Sequence, residues 1–239
     1  MKKENIPKFL NIQNLIIRLK ERERIFNDKN REYEEYRSEK FKSINLKEEE
    51  LKNLEKTIKD LKSEQKERED RISILREKYQ AEEKKALFLK NPKEALHIEK
   101  EMENLKNLIK KLEDEVLEIM IELENKNNIY MEYKKEISIL KEEFYLKETE
   151  YKEELDKLKE EINLILLEIE KNKQEISSDE IMEFENLMKQ KSDKAISRVI
   201  DKEICEGCKL SLPKLILDRL KKKEELIHCP NCGRILWIE

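Results

Sequence analysis

Apolar residues recur at alternating spacings of three and four positions over most of this chain. The most regular run skips no position and comprises Ile98, Met102, Leu105, Ile109, Leu112, Val116, Ile119 and Leu123. An earlier run, interrupted by Gln65 and Arg68, comprises Leu51, Leu54, Ile58, Leu61, Ile72, Leu75 and Tyr79. A seven-residue repeat keeps one apolar stripe against a partner helix, so the pattern predicts a left-handed coiled coil. A disordered chain has no reason to keep such a register.

The rhythm loosens after residue 130 and becomes regular again from Leu155 to Ile169. Between Phe144 and Leu155 the phase slips, as an insertion of four residues into the repeat would produce. Tyrosines concentrate on or beside the stripe, namely Tyr33, Tyr36, Tyr130, Tyr133, Tyr145 and Tyr151. We expect them to pack in the seam between helices; the alternative is that they present stacking surfaces.

One strong helix breaker interrupts the pattern at Asn91-Pro92. The stretches before and after it, 12–89 and 93–169, are of similar length. Equal arms predict an antiparallel coiled-coil hairpin of residues 1–176 with its turn near 90–93. The alternative is one kinked helix that pairs in parallel with a second copy of the chain.

Composition supports long helices, because 45% of the residues are charged, 6% are aromatic and only two are glycine. The formal net charge is -4, with both signs interspersed. No apolar stretch is long enough to span a membrane, and the first residues lack a signal-peptide core. We therefore expect a cytoplasmic protein whose thiols stay reduced.

The Ser177-Ser-Asp-Glu180 stretch has the pattern of a capping box, in which Ser177 and Glu180 each bind the other's backbone amide. It predicts a short connecting helix within 177–194. The apolar face of this helix (Ile181, Phe184, Leu187 and Met188) is expected to pack on the end of the hairpin or on the C-terminal tail.

All four cysteines lie in the tail, as Cys205-x2-Cys208 and Cys229-x2-Cys232 with twenty residues between the pairs. Two such pairs at this separation are typical of a structural zinc site, in which two tight turns complete a tetrahedron of sulfur. In a reducing compartment this interpretation is favoured over two disulfides. Gly207 and Gly233 are expected to supply unusual backbone angles in these turns.

The predicted zinc ribbon spans 195–239, with short strands at 195–201, 226–229 and 233–239 and a helical insert at 213–225. We expect Ile235, Leu236 and Trp237 to pack on Leu212, Leu215 and Ile216, and one zinc ion to supply the folding free energy. A closed set of four thiolates indicates a structural zinc rather than a catalytic one. His228, next to Cys229, is a competing candidate for a zinc ligand. A redox role for the cysteine pairs is not favoured, because neither pair lies in the strand-helix pattern of a thioredoxin-like motif.

The sequence has no phosphate-binding loop, paired catalytic acids or nucleophile constellation, so we expect no enzymatic activity. Basic residues of the ribbon are candidate nucleic-acid contacts, namely Lys209, Arg219, Lys221, Lys222, Lys223 and Arg234. The alternative is that these residues form a solvated helix end, where lysine is favourable in any case.

Three stretches resemble the bacterial coiled-coil proteins that carry a C-terminal C4-type zinc-ribbon domain. They are KNPKEALHIEKEMENL at 90–105, EDEVLEIMIELE at 113–124, and the ribbon motifs C-x-G-C-x-x-x-L-P at 205–213 and C-P-x-C-G-R-I-L at 229–236. The chain departs from the family at Lys214 and Leu215, where proline and glutamine are usual. It also departs at Ser192 and Asp193, where glycines are common.

The resemblance implies a helical hairpin that carries a ribbon and has no enzymatic activity. It also implies links to flagellar or type III export and to the alternative sigma factor that drives such genes. Nucleic-acid binding has been proposed for the family as well. We therefore expect an adapter or scaffold that binds other proteins; the alternative is a nucleic-acid-binding regulator.

Overall fold

The structure is a computed structural model that describes residues 1–89, 91–222 and 226–238. After a 3-10 turn at Lys3–Asn5, the elements are α1 Ile6–Ala86, α2 Pro92–Lys173, α3 Ser178–Gln190, β1 Ile196–Ile200, β2 Ile204–Cys205, α4 Lys214–Lys222 and β3 Ile235–Trp237. Two long helices packed against each other and a small C-terminal sheet confirm the predicted fold class. None of the helices in the described ranges combines the length and apolar character needed to cross a membrane.

The chain forms two compact units. The ribbon unit consists of Met1–Glu35 and Glu148–Glu239, and the turn unit consists of Tyr36–Lys147. Residues 195–239 thus share one unit with the first turns of α1 and the last turns of α2.

In the turn unit, ion pairs between α1 and α2 show that the helices run antiparallel. Lys47 pairs with Glu136, Arg68 with Glu115 at 3.0 Å and Arg76 with Glu113 at 2.6 Å. The partner's number falls in α2 as the residue number rises in α1. The predicted hairpin is therefore confirmed, and the alternative of a single kinked helix is wrong.

The seam of the turn unit is built from the predicted stripe. One cluster combines Ile58 with Ile119 and Leu123, and another combines Ile72 and Leu75 with Leu112. The polar interruption at Arg68 is accommodated because its guanidinium binds Glu64 at 2.8 Å as well as Glu115. Alternating spacings of three and four thus predicted which residues the two helices bury.

The turn between the helices uses Pro92 as the first residue of α2, where its missing N–H is not needed. The Asn91 side chain caps this helix start, because its Oδ1 accepts from the Lys93 N–H at 3.1 Å and its Nδ2 donates to Glu94 Oε1 at 3.1 Å. Leu87 and Phe88, between the last residue of α1 and this cap, are 78% and 83% exposed.

The predicted phase slip falls at Glu148, which is half-buried between the buried residues Phe144 and Tyr151. In the ribbon unit, the Tyr33 hydroxyl donates to Glu148 Oε1 at 2.9 Å, and the Tyr33 and Tyr151 ring centroids lie 5.5 Å apart. Most tyrosines of the stripe are buried or half-buried, as expected. Tyr145 is the exception at 61% exposed.

The largest core lies in the ribbon unit and joins α1, α2, α3 and the sheet. Phe9 and Phe184 are fully buried, with ring centroids 4.8 Å apart. The cluster also includes Ile6, Leu10, Ile12, Leu15, Ile165, Ile169, Ile176, Met188, Ala195, Ile196 and Ile235. Helix α3 therefore packs on both the hairpin end and the tail.

The predicted capping box at the start of α3 is wrong. Ser177 makes no side-chain bond to the helix backbone; its hydroxyl donates to Glu180 Oε2 at 3.0 Å. Glu180 also accepts from the Lys2 backbone N–H and from Asn5 Nδ2, so its carboxylate binds the N-terminal segment. The Lys2 N–H is the largest cause of the lowered pKa of Glu180, while burial opposes the shift.

A buried glutamine links α1 to the sheet. Gln13 is 4% exposed; its Nε2 donates to the Ile196 carbonyl at 2.9 Å, and its Oε1 accepts from the Ile196 N–H at 2.8 Å. The side chain thereby satisfies both backbone groups of a buried strand residue, as a neighbouring strand would. No local sequence pattern predicted this role for Gln13.

Replacing Gln13 should destabilise the ribbon unit. Gln13→Leu leaves the Ile196 N–H and carbonyl buried without partners, which should lower the free energy of unfolding by about 1–3 kcal/mol. Denaturant unfolding followed by Trp237 fluorescence and amide exchange at Ile196 measure the effect. Asn14→Ala, at the neighbouring exposed position, is the control. Equal stability of the two variants would contradict the assigned role of Gln13.

Candidate metal centre

The four cysteine sulfurs form one compact group, all within 4.8 Å of one another. The Sγ atoms of Cys205 and Cys232 are 3.8 Å apart, as are those of Cys208 and Cys229. Zinc bound by four thiolates at about 2.3 Å places neighbouring sulfurs about 3.8 Å apart in a tetrahedron. The spacing and the donor set therefore fit one zinc ion.

The two cysteine pairs sit in turns of the same construction. In the first, the Cys205 N–H donates to the Leu210 carbonyl at 3.0 Å, and the Lys209 N–H donates to the Cys205 carbonyl at 2.8 Å. In the second, the Cys229 N–H donates to the Arg234 carbonyl and the Gly233 N–H donates to the Cys229 carbonyl, both at 2.8 Å. The bonded residues are separated by the same numbers of positions as in the first turn. Each turn thus closes on itself and presents two sulfurs to one ion.

Each turn needs one residue in the left-handed region. In the second turn this is Gly233, with φ of 73°, as expected. In the first turn the equivalent position is Lys209, with φ of 61°, and the expectation that Gly207 adopts such an angle is wrong. Gly207 is needed for space, because a Cβ there would lie 2.6 Å from the Arg234 Cδ and 3.1 Å from the Ser197 Oγ.

Ser197 supports the first pair and was missed by the sequence analysis. It is 3% exposed; its Oγ accepts from the Gly207 N–H at 2.7 Å and lies 3.3 Å from the Cys205 Sγ. The hydroxyl can donate to the Cys205 thiolate, which fixes the orientation of that ligand. The one sequence signal was a small hydroxyl residue within the predicted strand 195–201.

The sulfurs differ in proton affinity when no metal is bound. Burial raises the pKa of Cys229 to about 12, although the Cys232 and Asn231 backbone N–H groups oppose it. The pKa of Cys208 is also raised: the Leu210 N–H lowers it, but burial and neighbouring sulfurs outweigh this effect. For Cys232, burial opposes ionisation, but hydrogen bonds from Arg234 and the other thiols lower the pKa to about 6.

Zinc held by Cys205, Cys208, Cys229 and Cys232 would join the two turns and stabilise their thiolates. Four sulfurs fill a tetrahedral shell, so these ligands suit a structural ion. His228 is exposed and lies outside the sulfur group, with its Nδ1 3.1 Å from the Gly233 carbonyl oxygen. The structure therefore does not support His228 as a competing ligand.

The ribbon sheet has the order β2-β1-β3, with β1 antiparallel to β2 and parallel to β3. Strand β2 was not predicted, and the predicted strand at 226–229 is reduced to a single bridge between His228 and Ile235.

The predicted packing around β3 is only partly right. Leu236 packs with Leu212 and Ile216 beside the cysteines, as expected. Ile235 and Trp237 instead face the core shared with α1, because successive strand residues point to opposite faces. Leu215 is 70% exposed and lies outside both clusters.

The basic candidate residues are not equivalent. Lys209 is exposed on the first turn, and Arg219, Lys221 and Lys222 are exposed on α4. Lys223 lies outside the described residues.

Arg234 is occupied inside the ribbon unit. Its Nε donates to the Lys194 carbonyl at 2.8 Å, and its Nη2 donates to the Lys191 carbonyl at 2.9 Å. This arginine therefore holds the segment before β1, and its role as a nucleic-acid contact stays a prediction.

Zinc binding should release protons. Because the pKa values of Cys208 and Cys229 are raised, at least two protons must leave at neutral pH. The apparent zinc affinity should therefore rise with pH and fall on acidification. Calorimetry in buffers of different ionisation enthalpy counts the released protons, and Cys229→Ser should abolish tight binding. An affinity that does not change with pH would contradict this ligand set.

The two turns should respond in opposite ways to exchange of their left-handed residues. Lys209→Gly removes the strain of a side chain at positive φ and should stabilise the first turn by roughly 1 kcal/mol. Gly233→Lys introduces that strain into the second turn, where the Lys191 side chain is already close. Zinc retention against a competing chelator should rise in the first variant and fall in the second. Loss of retention in both variants would show that the two turns are not equivalent.

Comparison with known proteins agrees with this geometry. Residues 204–236 match the family model of the C4-type zinc ribbon domain. The search of curated proteins found no match to the chain.

Solved structures show the same fold over nearly the whole chain. A protein from Mycobacterium smegmatis has a TM-score of 0.70 at 16% identity, and CT398 from Chlamydia trachomatis has a TM-score of 0.58 at 20% identity. Each match covers 99% of this chain and 98% of the other. Likeness at these identities concerns the fold alone. Residues 204–236 are therefore a C4-type zinc ribbon, carried by a mostly helical chain with long paired helices.

Proposed function

We propose that this protein is a non-enzymatic zinc-binding adapter that binds partner proteins through exposed apolar surface. The observation that carries the proposal is the pair Leu87 and Phe88, 78% and 83% exposed in the turn between α1 and α2. Leu96, one helical turn into α2, is 55% exposed. Adjacent large apolar side chains left in water are typical of protein interaction sites.

A groove in the turn unit extends this surface. It has a volume of about 590 Å³ and is lined by Tyr79, Ala86, Ala95 and Met102 together with Glu99, Glu103 and Lys106. Ala86 and Ala95, which line the groove, are the sequence neighbours of Leu87 and Leu96. We call Leu87, Phe88, Leu96 and this groove the turn surface.

Absence of catalysis is part of the proposal. Four thiolates would complete the shell of a zinc ion and would leave no coordination position open to a substrate. The cytoplasm, where thiols stay reduced, is the compartment that suits such a ligand set. The family resemblance makes export-apparatus proteins and the alternative sigma factor the first partners to test.

A nucleic-acid-binding regulator is the second candidate. It is favoured by exposed lysines on the first cysteine turn and on α4, namely Lys209, Lys221 and Lys222. Arg234 supports it less, because its guanidinium is held by two backbone carbonyls.

Changing the turn surface should remove partners without affecting the zinc ribbon. Leu87→Ser with Phe88→Ser removes the apolar anchor but leaves the cysteines intact. Affinity capture from the native cell, with one half treated with nuclease, should show specific proteins lost from this variant. The matched control is Phe41→Ser with Leu46→Ser, two residues of the turn unit that are 57% and 54% exposed.

The outcomes separate the two candidates. Proteins that survive nuclease, bind the control and disappear from the turn variant support the adapter. Loss of all bound material on nuclease treatment would instead support the nucleic-acid regulator. Equal capture by the turn variant and the control would remove the turn surface from the proposal.

A further inference from the structure

Two leucines of the ribbon point outward although their neighbours are buried. Leu210 is 52% exposed and Leu215 is 70% exposed, whereas Leu212 and Leu220 are 5% and 7% exposed. Five residues of chain span at most about 17 Å, so the Cα atoms of the two exposed leucines lie within that distance of each other. The stretch therefore has an inner set of leucines that builds the zinc-side core and an outer set that does not.

Helix α4 gives the outer set its direction. Leu215, Arg219 and Lys222 are spaced at four and three residues, so they share one face of the helix, and all three are exposed. Leu220 is buried in the cluster beside the cysteines, which places that cluster on the other face. An apolar side chain on the water-facing side of a nine-residue helix has no role in the ribbon core.

The charge around these leucines is strongly one-sided. Residues 209–222 hold five basic residues and one acidic residue, a formal net charge of +4 in a chain whose net charge is -4. Lys209, Lys214, Arg219 and Lys222 are all exposed. Long basic side chains cover apolar surface with their stems and keep the charge at the rim. The surface is thus complementary to a partner that is acidic and also apolar.

We propose that the ribbon patch, made of Leu210 and Leu215 with Lys209, Lys214, Arg219 and Lys222, docks an acidic protein segment with apolar anchors, such as an acidic amphipathic helix. The inference rests on the adapter function and names the chemistry of one partner. The leucines accept the anchors, and the cations attract the acidic face and set its register.

The composition of the patch favours protein over nucleic acid. Proteins that bind single strands stack bases on exposed aromatic rings. In the described part of the ribbon, residues 195–222 and 226–238, Trp237 is the only Phe, Tyr or Trp, and it packs against the core shared with α1. The phosphates of a nucleic acid would contact only the basic side chains of the patch. Apolar side chains of a protein partner would also contact the two exposed leucines.

The test uses the zinc-loaded full chain and four fluorescein-labelled probes in fluorescence anisotropy. The first probe is a peptide of about 18 residues, five helical turns, with leucine on one face and Asp and Glu elsewhere. The second replaces its leucines by serine, the third replaces its acids by lysine, and the fourth is a single-stranded RNA of similar length. The acidic leucine peptide should bind with an affinity at least about tenfold higher than that of each other probe.

Matched variants locate the binding. Leu210→Ser with Leu215→Ser, and separately Lys214→Glu with Lys222→Glu, should each weaken that peptide about tenfold. Leu164→Ser with Leu167→Ser are the apolar control, at positions 66% and 67% exposed on α2 of the same unit. Lys157→Glu with Lys189→Glu are the charge control, at two exposed positions. Equal zinc content in all variants shows that the ribbon is intact.

Three results would overturn the proposal. RNA binding tighter than the acidic leucine peptide would assign the patch to nucleic acid. Equal weakening by the patch and control variants would make the binding non-specific, and no binding of any probe would remove the patch as a docking surface. None of these results decides the adapter function, because that function is tested separately by the proteins captured with the Leu87→Ser and Phe88→Ser variant.

Discussion

With 45% of its residues charged, this chain has few apolar side chains to bury, and their placement determines the rest of the structure. Many of the buried ones are spread along the seam between α1 and α2, where each turn of helix contributes at most one or two. Such a seam keeps two helices together, but it adds little burial at any one point. Among the described residues, the largest cluster of buried apolar side chains surrounds Phe9 and Phe184 in the ribbon unit.

That core changes the role expected of the metal. Counted alone, residues 195–239 are too poor in apolar side chains to fold without zinc. The structure gives the β-sheet a second support, because Ile196 and Ile235 are buried with residues of α1, α2 and α3. Zinc then organises the opposite side, where Cys205 and Cys229 lie in a smaller cluster with Leu212 and Leu236. The ribbon is held by metal on one side and by helices on the other.

Local sequence patterns predicted the long helices and the four zinc ligands. The heptad repeat and each cysteine pair are defined by residues that are close together in the sequence. Contacts between distant parts of the chain could not be predicted in this way. Gln13 forms hydrogen bonds with Ile196, and Glu180 accepts hydrogen bonds from Lys2 and Asn5; in each case the partners are more than 170 residues apart in the sequence. The left-handed residue of the first cysteine turn was also missed. A glycine such as Gly233 indicates a positive φ, whereas a lysine such as Lys209 does not.

Strand β1 brings the two supports together. Ile196 is bound by the Gln13 amide on α1, and the next residue, Ser197, contacts the Cys205 sulfur and the Gly207 N–H. Because successive strand residues point to opposite faces, one strand can serve a helix core and a metal site at once. These inward contacts explain why the ribbon folds. They do not involve Leu210 and Leu215, since neither adds to either core, and these two leucines lie within residues 209–222, which hold five basic residues and one acidic residue.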